Sequence, residues 1–188
     1  MRALIAVPLV VATALTPVAA SADGPQGIRF DVMPVDCAIH TSYGGKDRRV
    51  DIYVGRKGDR HVTRTYAEPA KGQPPARLLL TTTFDAKGRM TRKAWVEGKW
   101  ETFTPYSCFD LPGECRYRYR NGDGADQVYL GQVEKKGRSF VSAGGFEGEA
   151  PFNPTTLTFG PFNNIATFRE GATSFKVTRY DNCGGVGS

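Results

Sequence analysis

The sequence predicts an all-β protein, an antiparallel meander closing into a barrel-like or two-layer sandwich domain stabilised by disulfides. Three observations carry this expectation. Short segments of alternating, β-branched or aromatic character recur along the chain, Gly, Asn, Asp or Pro closes nearly every one, and no apolar pattern of period 3.6 runs long enough for a helix. Connections this short favour antiparallel neighbours, and a sheet of so many strands curls or folds to hide its edges.

The chain has 188 residues and opens with Met1-Arg2, an apolar run over residues 3–15 and the small-residue triplet Ala20-Ser21-Ala22. That order of basic start, apolar stretch and small residues predicts a signal peptide over residues 1–22, cleaved at about Ala22. The run contains Pro8 and is shorter than the roughly 18 to 20 apolar residues that a spanning helix needs. Residues 23–188 are therefore expected to form one secreted β domain, periplasmic or extracellular, with no transmembrane segment.

Along residues 23–188 the elements follow in order. Residues 28–40 open with Ile28, Phe30 and Val32 alternating against Arg29 and Asp31, and Pro34 marks an edge or a bend there. Residues 48–55 place Val50, Ile52 and Val54 on one face and Arg49, Asp51 and Tyr53 on the other. Lys57-Gly58-Asp59 turns the chain into a strand over 60–66, and the Pro-rich stretch 68–75 then forms a loop. Residues 77–84 and 89–96 flank the turn Asp85-Ala86-Lys87-Gly88, and Glu97-Gly98 leads on to 99–103. Later strands are expected over 115–120, 127–133, 138–143, 155–159, 164–169 and 173–180.

Two short stretches resemble known repeats. Phe84-Asp85-Ala86-Lys87-Gly88-Arg89-Met90 is similar to one unit of the tyrosine–aspartate repeats of bacterial surface and toxin shells. Asn121-Gly122-Asp123-Gly124-Ala125-Asp126-Gln127-Val128 is similar to the calcium-binding nonapeptide, with Asn121 at its first glycine. Both families work through stacked copies, and each stretch occurs once, so a hairpin and a plain turn are expected instead. An outer-membrane barrel shares the alternating pattern. The strands here are short and charged on both faces, and the chain ends Gly184-Gly185-Val186-Gly187-Ser188 without a terminal aromatic residue, so that reading is set aside.

Four cysteines permit three pairings. Cys108 and Cys115 bracket a Pro-Gly reversal and are expected to form a local clasp, Cys108–Cys115. That leaves Cys37, at the end of the first strand candidate, with Cys183, just after the last, and Cys37–Cys183 would join the two ends of the sheet. No Cys-x-x-Cys spacing suggests a redox pair.

Catalytic signatures are absent from the pattern. The two histidines, His40 and His61, lack metal-ligand spacing and are expected at the surface, no Gly-x-Ser-x-Gly elbow occurs, and no glycine-rich stretch opens a helix. No metal or cofactor is expected. The net charge is +6, one less without Arg2, which favours anionic company, and outside the cytoplasm that means envelope components more than nucleic acid.

The sharpest local feature is Cys115-Arg116-Tyr117-Arg118-Tyr119-Arg120. A period of two sets Arg116, Arg118 and Arg120 on one face, where guanidiniums can grip phosphate or carboxylate, unless Asp and Glu of neighbouring strands pair with them. Tyr117 and Tyr119 then face the core. Tyr106 and Phe109, in the loop held by the expected clasp, would add a rigid aromatic contact. The expected function is non-catalytic binding of an anionic ligand or envelope partner. A small secreted hydrolase using a carboxylate pair and a purely structural envelope protein are the alternatives.

Overall fold

A computed structural model describes residues 27–45, 47–68, 77–104 and 112–185. Twelve antiparallel strands run β1 (Ala38–Tyr43), β2 (Asp47–Lys57), β3 (Arg60–Ala67), β4 (Arg77–Phe84), β5 (Met90–Trp95), β6 (Trp100–Thr104), β7 (Gly113–Asn121), β8 (Asp126–Lys136), β9 (Ser139–Phe146), β10 (Thr155–Phe159), β11 (Ile165–Glu170) and β12 (Thr173–Asp181). Each pairs with its neighbours in sequence, and β1 pairs with β12, so the meander is a closed barrel rather than a sandwich. Closure leaves no edge strand. Bulges interrupt five of the ladders, at His40/Thr41, Tyr53/Gly55, Thr65/Tyr66, Thr83/Phe84 and Thr158/Phe159, and supply the local bending that a closed sheet requires.

The stretch expected to open as a strand at residue 28 does not pair. Residues 27–37 instead cross one mouth of the barrel, and strand pairing begins at Ala38. Pro34 has no N–H to donate. The local bonds from Val32 N–H to Arg29 O and from Cys37 N–H to Pro34 O fold the segment into turns, which bring Phe30 and Met33 to bear on the core together. The crossing is pinned at both sides of the mouth, where Ile28 N–H donates to Gly88 O (3.0 Å) and Arg29 N–H to Phe162 O (2.8 Å). Only glycine suits position 88, because φ is +74° and a Cβ would lie 2.0 Å from Ile28 O.

Under this cap, Phe30, Met33, Cys37, Tyr53, Phe84, Phe162 and Cys183 form one buried cluster. The Cys37–Cys183 disulfide is present and fastens the cap and the end of β12 to each other. A second cluster gathers Cys115, Val133 and Phe140 with Tyr117, Tyr129, Leu157 and Phe159. On that wall Gly131 and Gly144 face each other across β8 and β9. A Cβ on Gly144 would lie 2.4 Å from Leu130 O and 2.7 Å from the Tyr129 hydroxyl, so the two glycines leave the room that the tyrosine ring occupies.

The inward face of β2 carries Asp51 and Tyr53, which line the barrel interior with Thr41 and Thr63 of the flanking strands. Phe84 ends β4, as expected, and packs in the cluster under the cap, and the Asp85 carboxylate accepts the Lys87 and Arg89 N–H groups in the turn that follows. Among the described residues no helix is long and apolar enough to cross a membrane. On its outward face β7 presents Arg116, Arg118 and Arg120, and an arginine facing lipid at the bilayer midplane costs about 2 to 4 kcal/mol.

Candidate functional site

β7 divides its side chains by alternation, as the sequence predicts. Tyr117 stacks on Tyr129 with centroids 4.8 Å apart, while Tyr119 packs on Phe103 and Phe146 and donates its hydroxyl to Glu101 at 3.2 Å. These rings fill the inside. The exposed residues between them are Arg116, Arg118 and Arg120.

What lies across from the arginines decides how much charge remains. Arg118 is flanked by Thr104 and Val128, Arg120 by Thr102 and Asp126, and Arg116 by Leu130. Asp126 answers two of them at once: Arg118 forks onto both of its oxygens at 2.6 and 2.7 Å, and Arg120 Nε lies 3.2 Å away. Hydrogen bonds from Arg118 and then Arg120 pull the Asp126 carboxyl down to about 2, and the same contact raises Arg118. One carboxylate cannot neutralise two guanidiniums, so this pair of strands keeps a positive excess. An open groove of about 710 Å³ follows the arginines, lined also by Thr102, Thr104, Tyr117 and Val128. Threonine hydroxyls and guanidinium forks together suit an oxyanion.

Tyr106, Phe109 and Cys108 lie outside the described residues. Cys115 is disulfide-bonded and buried at the start of this strand. The Asn121 to Asp126 stretch forms the turn between β7 and β8, and the Asn121 side chain is spent on it, accepting the N–H groups of Asp123 and Ala125. Among the described residues no group of three His, Cys, Asp or Glu side chains is arranged to hold a metal ion.

Both histidines depart from the surface position expected of them. His40 is only 8% exposed. Its Nδ1 lies 3.0 Å from Glu68 and its Nε2 2.9 Å from Asp181, with Arg179 joining both carboxylates, so the cluster ties β1 to β12 and to the end of β3. The two acids occupy opposite nitrogens of one ring. His61 stacks on Phe30 at 4.7 Å and meets the Tyr53 hydroxyl at 2.7 Å, and burial, followed by the charge of Arg56, lowers its basicity.

Two polar groups inside the barrel carry no motif. Asp51 accepts a hydrogen bond from the Thr65 hydroxyl, and its burial raises the carboxyl above its ordinary value. Lys93 lies beside Phe103 with Glu101 3.9 Å away, and desolvation lowers it. Their signal is positional, since each sits on a strand face that the pairing register turns inward. Comparison with known protein families, characterised proteins and solved structures finds no match to this chain.

Proposed function

We propose that this is a non-catalytic binding protein that works outside the cytoplasm and holds an anionic ligand or envelope partner on the outer face of β7. The observation that carries the reading is the sharing of one acid by two arginines. Arg118 and Arg120, on one strand face with Glu114 and Arg116, both lean on the Asp126 carboxylate, and Thr102, Thr104, Val128 and Leu130 flank the row. An anion entering the groove meets guanidiniums already held in place by Asp126, which lessens the side-chain ordering that binding must bring about. The leader read over residues 1–22 supports export, and in that setting phosphate and carboxylate groups of the envelope are the anions at hand.

The test replaces Arg116, Arg118 and Arg120 by Gln and compares the salt needed to elute the protein from an anionic matrix. A control of equal net charge replaces Arg64, Arg138 and Arg169. The β7 variant is expected to elute at clearly lower salt than the control. Equal elution of the two would reduce the effect to net charge and refute a site on β7.

A further inference from the structure

The barrel interior holds a cavity of about 190 Å³ beneath the cap. Its walls are mostly apolar, with Ile39, Tyr43, Tyr53, Phe84, Phe175 and Val177 among them, and Asp51 is the carboxylate that lines it. A dry apolar cavity of about 150 Å³ holds benzene, so this space suits one ring with a short substituent.

Asp51 is enclosed by protein and yet retains accessible surface, and the space it faces is this cavity. One oxygen accepts from Thr65. No other hydrogen bond reaches the carboxyl among the described residues, and no buried side-chain polar atom there is left sealed without a partner, so its second oxygen opens on the cavity. Arg49, whose charge acts on Asp51, is turned away to Asp47 at 2.8 Å and lies over the Tyr43 ring. A carboxylate placed so deep needs a donor to offset its lost hydration, and the Tyr43 and Phe175 rings, 5.1 Å apart, border the same space.

We infer that the barrel interior binds a small ring compound bearing one amino group, the ring seated among the apolar walls and the ammonium donating to the free oxygen of Asp51. This site is separate from the arginine face of β7. It selects the opposite charge.

The full chain is titrated at neutral pH with benzylamine, benzyl alcohol, toluene and benzoate, followed by calorimetry and by contacts between ligand protons and protein methyl groups in NMR spectra. Benzylamine is expected to bind at least about ten-fold more tightly than toluene, the scale of one charge-assisted hydrogen bond, with contacts to Ile39 and Val177. Benzoate, drawn to the arginines outside, is expected to give no such contacts. Asp51→Asn should bring benzylamine down to the level of toluene and leave toluene unchanged, and Val177→Phe should fill the cavity and abolish both. The inference is overturned if benzylamine does not bind, if it shows no advantage over toluene, or if Asp51→Asn leaves that advantage intact. Should either variant fail to melt cooperatively, the contacts in the wild-type protein decide alone, and contacts placed away from Ile39 and Val177 overturn it.

Discussion

Replacing Cys37 and Cys183 together by Ala removes a link that closes 146 residues of chain, and the expected loss of stability follows from that length. In the chain-entropy relation a loop of this size restrains the unfolded ensemble by about 5 kcal/mol at 25 °C. The native side changes little, because β1 and β12 remain hydrogen-bonded neighbours from Ala38–Asp181 to Tyr43–Phe175 with or without the sulfurs. Both cysteines are buried in the cluster beneath the cap, 0% and 4% exposed, so lost packing adds to the entropic effect. Since whole proteins are stable by only about 5 to 15 kcal/mol, a loss of this size would consume much of the total. Urea denaturation of wild type and double variant, with Cys108 and Cys115 kept, measures it. The midpoint should fall by an amount equivalent to about 5 kcal/mol, and the m value should rise because the unlinked chain exposes more surface when unfolded. A loss below about 2 kcal/mol with an unchanged m value would refute the reasoning, since the link would then not be restraining the unfolded chain.

Other expectations are narrower. Burial raises the Asp51 carboxyl above its ordinary 3.8, so the folded protein keeps a proton that the unfolded chain has already released; stability is full below 3.8 and falls as pH rises through the folded-state value. Asp51→Asn lacks this decline, and urea midpoints from about pH 3 to about pH 7 should show the variant gaining on wild type as pH rises; parallel curves would contradict it. His40→Ala removes the ring that joins Glu68 to Asp181 and should destabilise the barrel by about 1 to 3 kcal/mol in thermal melts, whereas a change under about 0.5 kcal/mol would deny the cluster a structural role. Asp126→Asn releases both Arg118 and Arg120, so the variant should need more salt than wild type to elute from an anionic matrix. Elution at the same salt would mean that these guanidiniums do not meet the matrix.

Strands bounded by strong turn residues were legible in the sequence because local chemistry defines them. Residues 77–84 and 155–159 are strands with those same limits, and the alternation of Arg116 to Arg120 correctly sends tyrosines in and arginines out. The pairing of Cys37 with Cys183 is what remains once Cys108 and Cys115 are assigned to a local clasp, and the closed barrel, in which the first and last strands are neighbours, brings the two sulfurs together. Residues 28–37 were misread because Ile28, Phe30 and Val32 alternate like a strand, whereas Phe30 and Met33 are the pair that enter the core and Val32 stays 54% exposed. Local pattern cannot reveal that the segment packs over a mouth whose rims come from Gly88 and Phe162.

The interior polar groups escaped for a related reason, which is register. The turn after Lys57 pairs Lys57 with Arg60, and an unbroken ladder from there would set Asp51 opposite Tyr66. The bulge at Tyr53/Gly55 shifts the pairing by one and brings Thr65 opposite Asp51 instead. A one-residue shift of this kind redefines cross-strand partners while leaving the hydrophobic pattern unaltered. The absence of metal-ligand spacing around His40 says nothing of its burial, because Glu68 and Arg179, 28 and 139 residues away, are the groups that enclose it.

The claim on which the functional reading turns is that anions are gathered by β7 rather than by the overall charge of the chain. Heteronuclear NMR spectra recorded while an anionic polysaccharide is added would locate the contact residue by residue. The reading predicts that the amide signals of Thr102, Thr104, Arg116, Arg118, Arg120 and Val128 move first and saturate together, with the remaining strands little changed. Small shifts spread evenly over all twelve strands, or a concentration on a face that excludes β7, would contradict it.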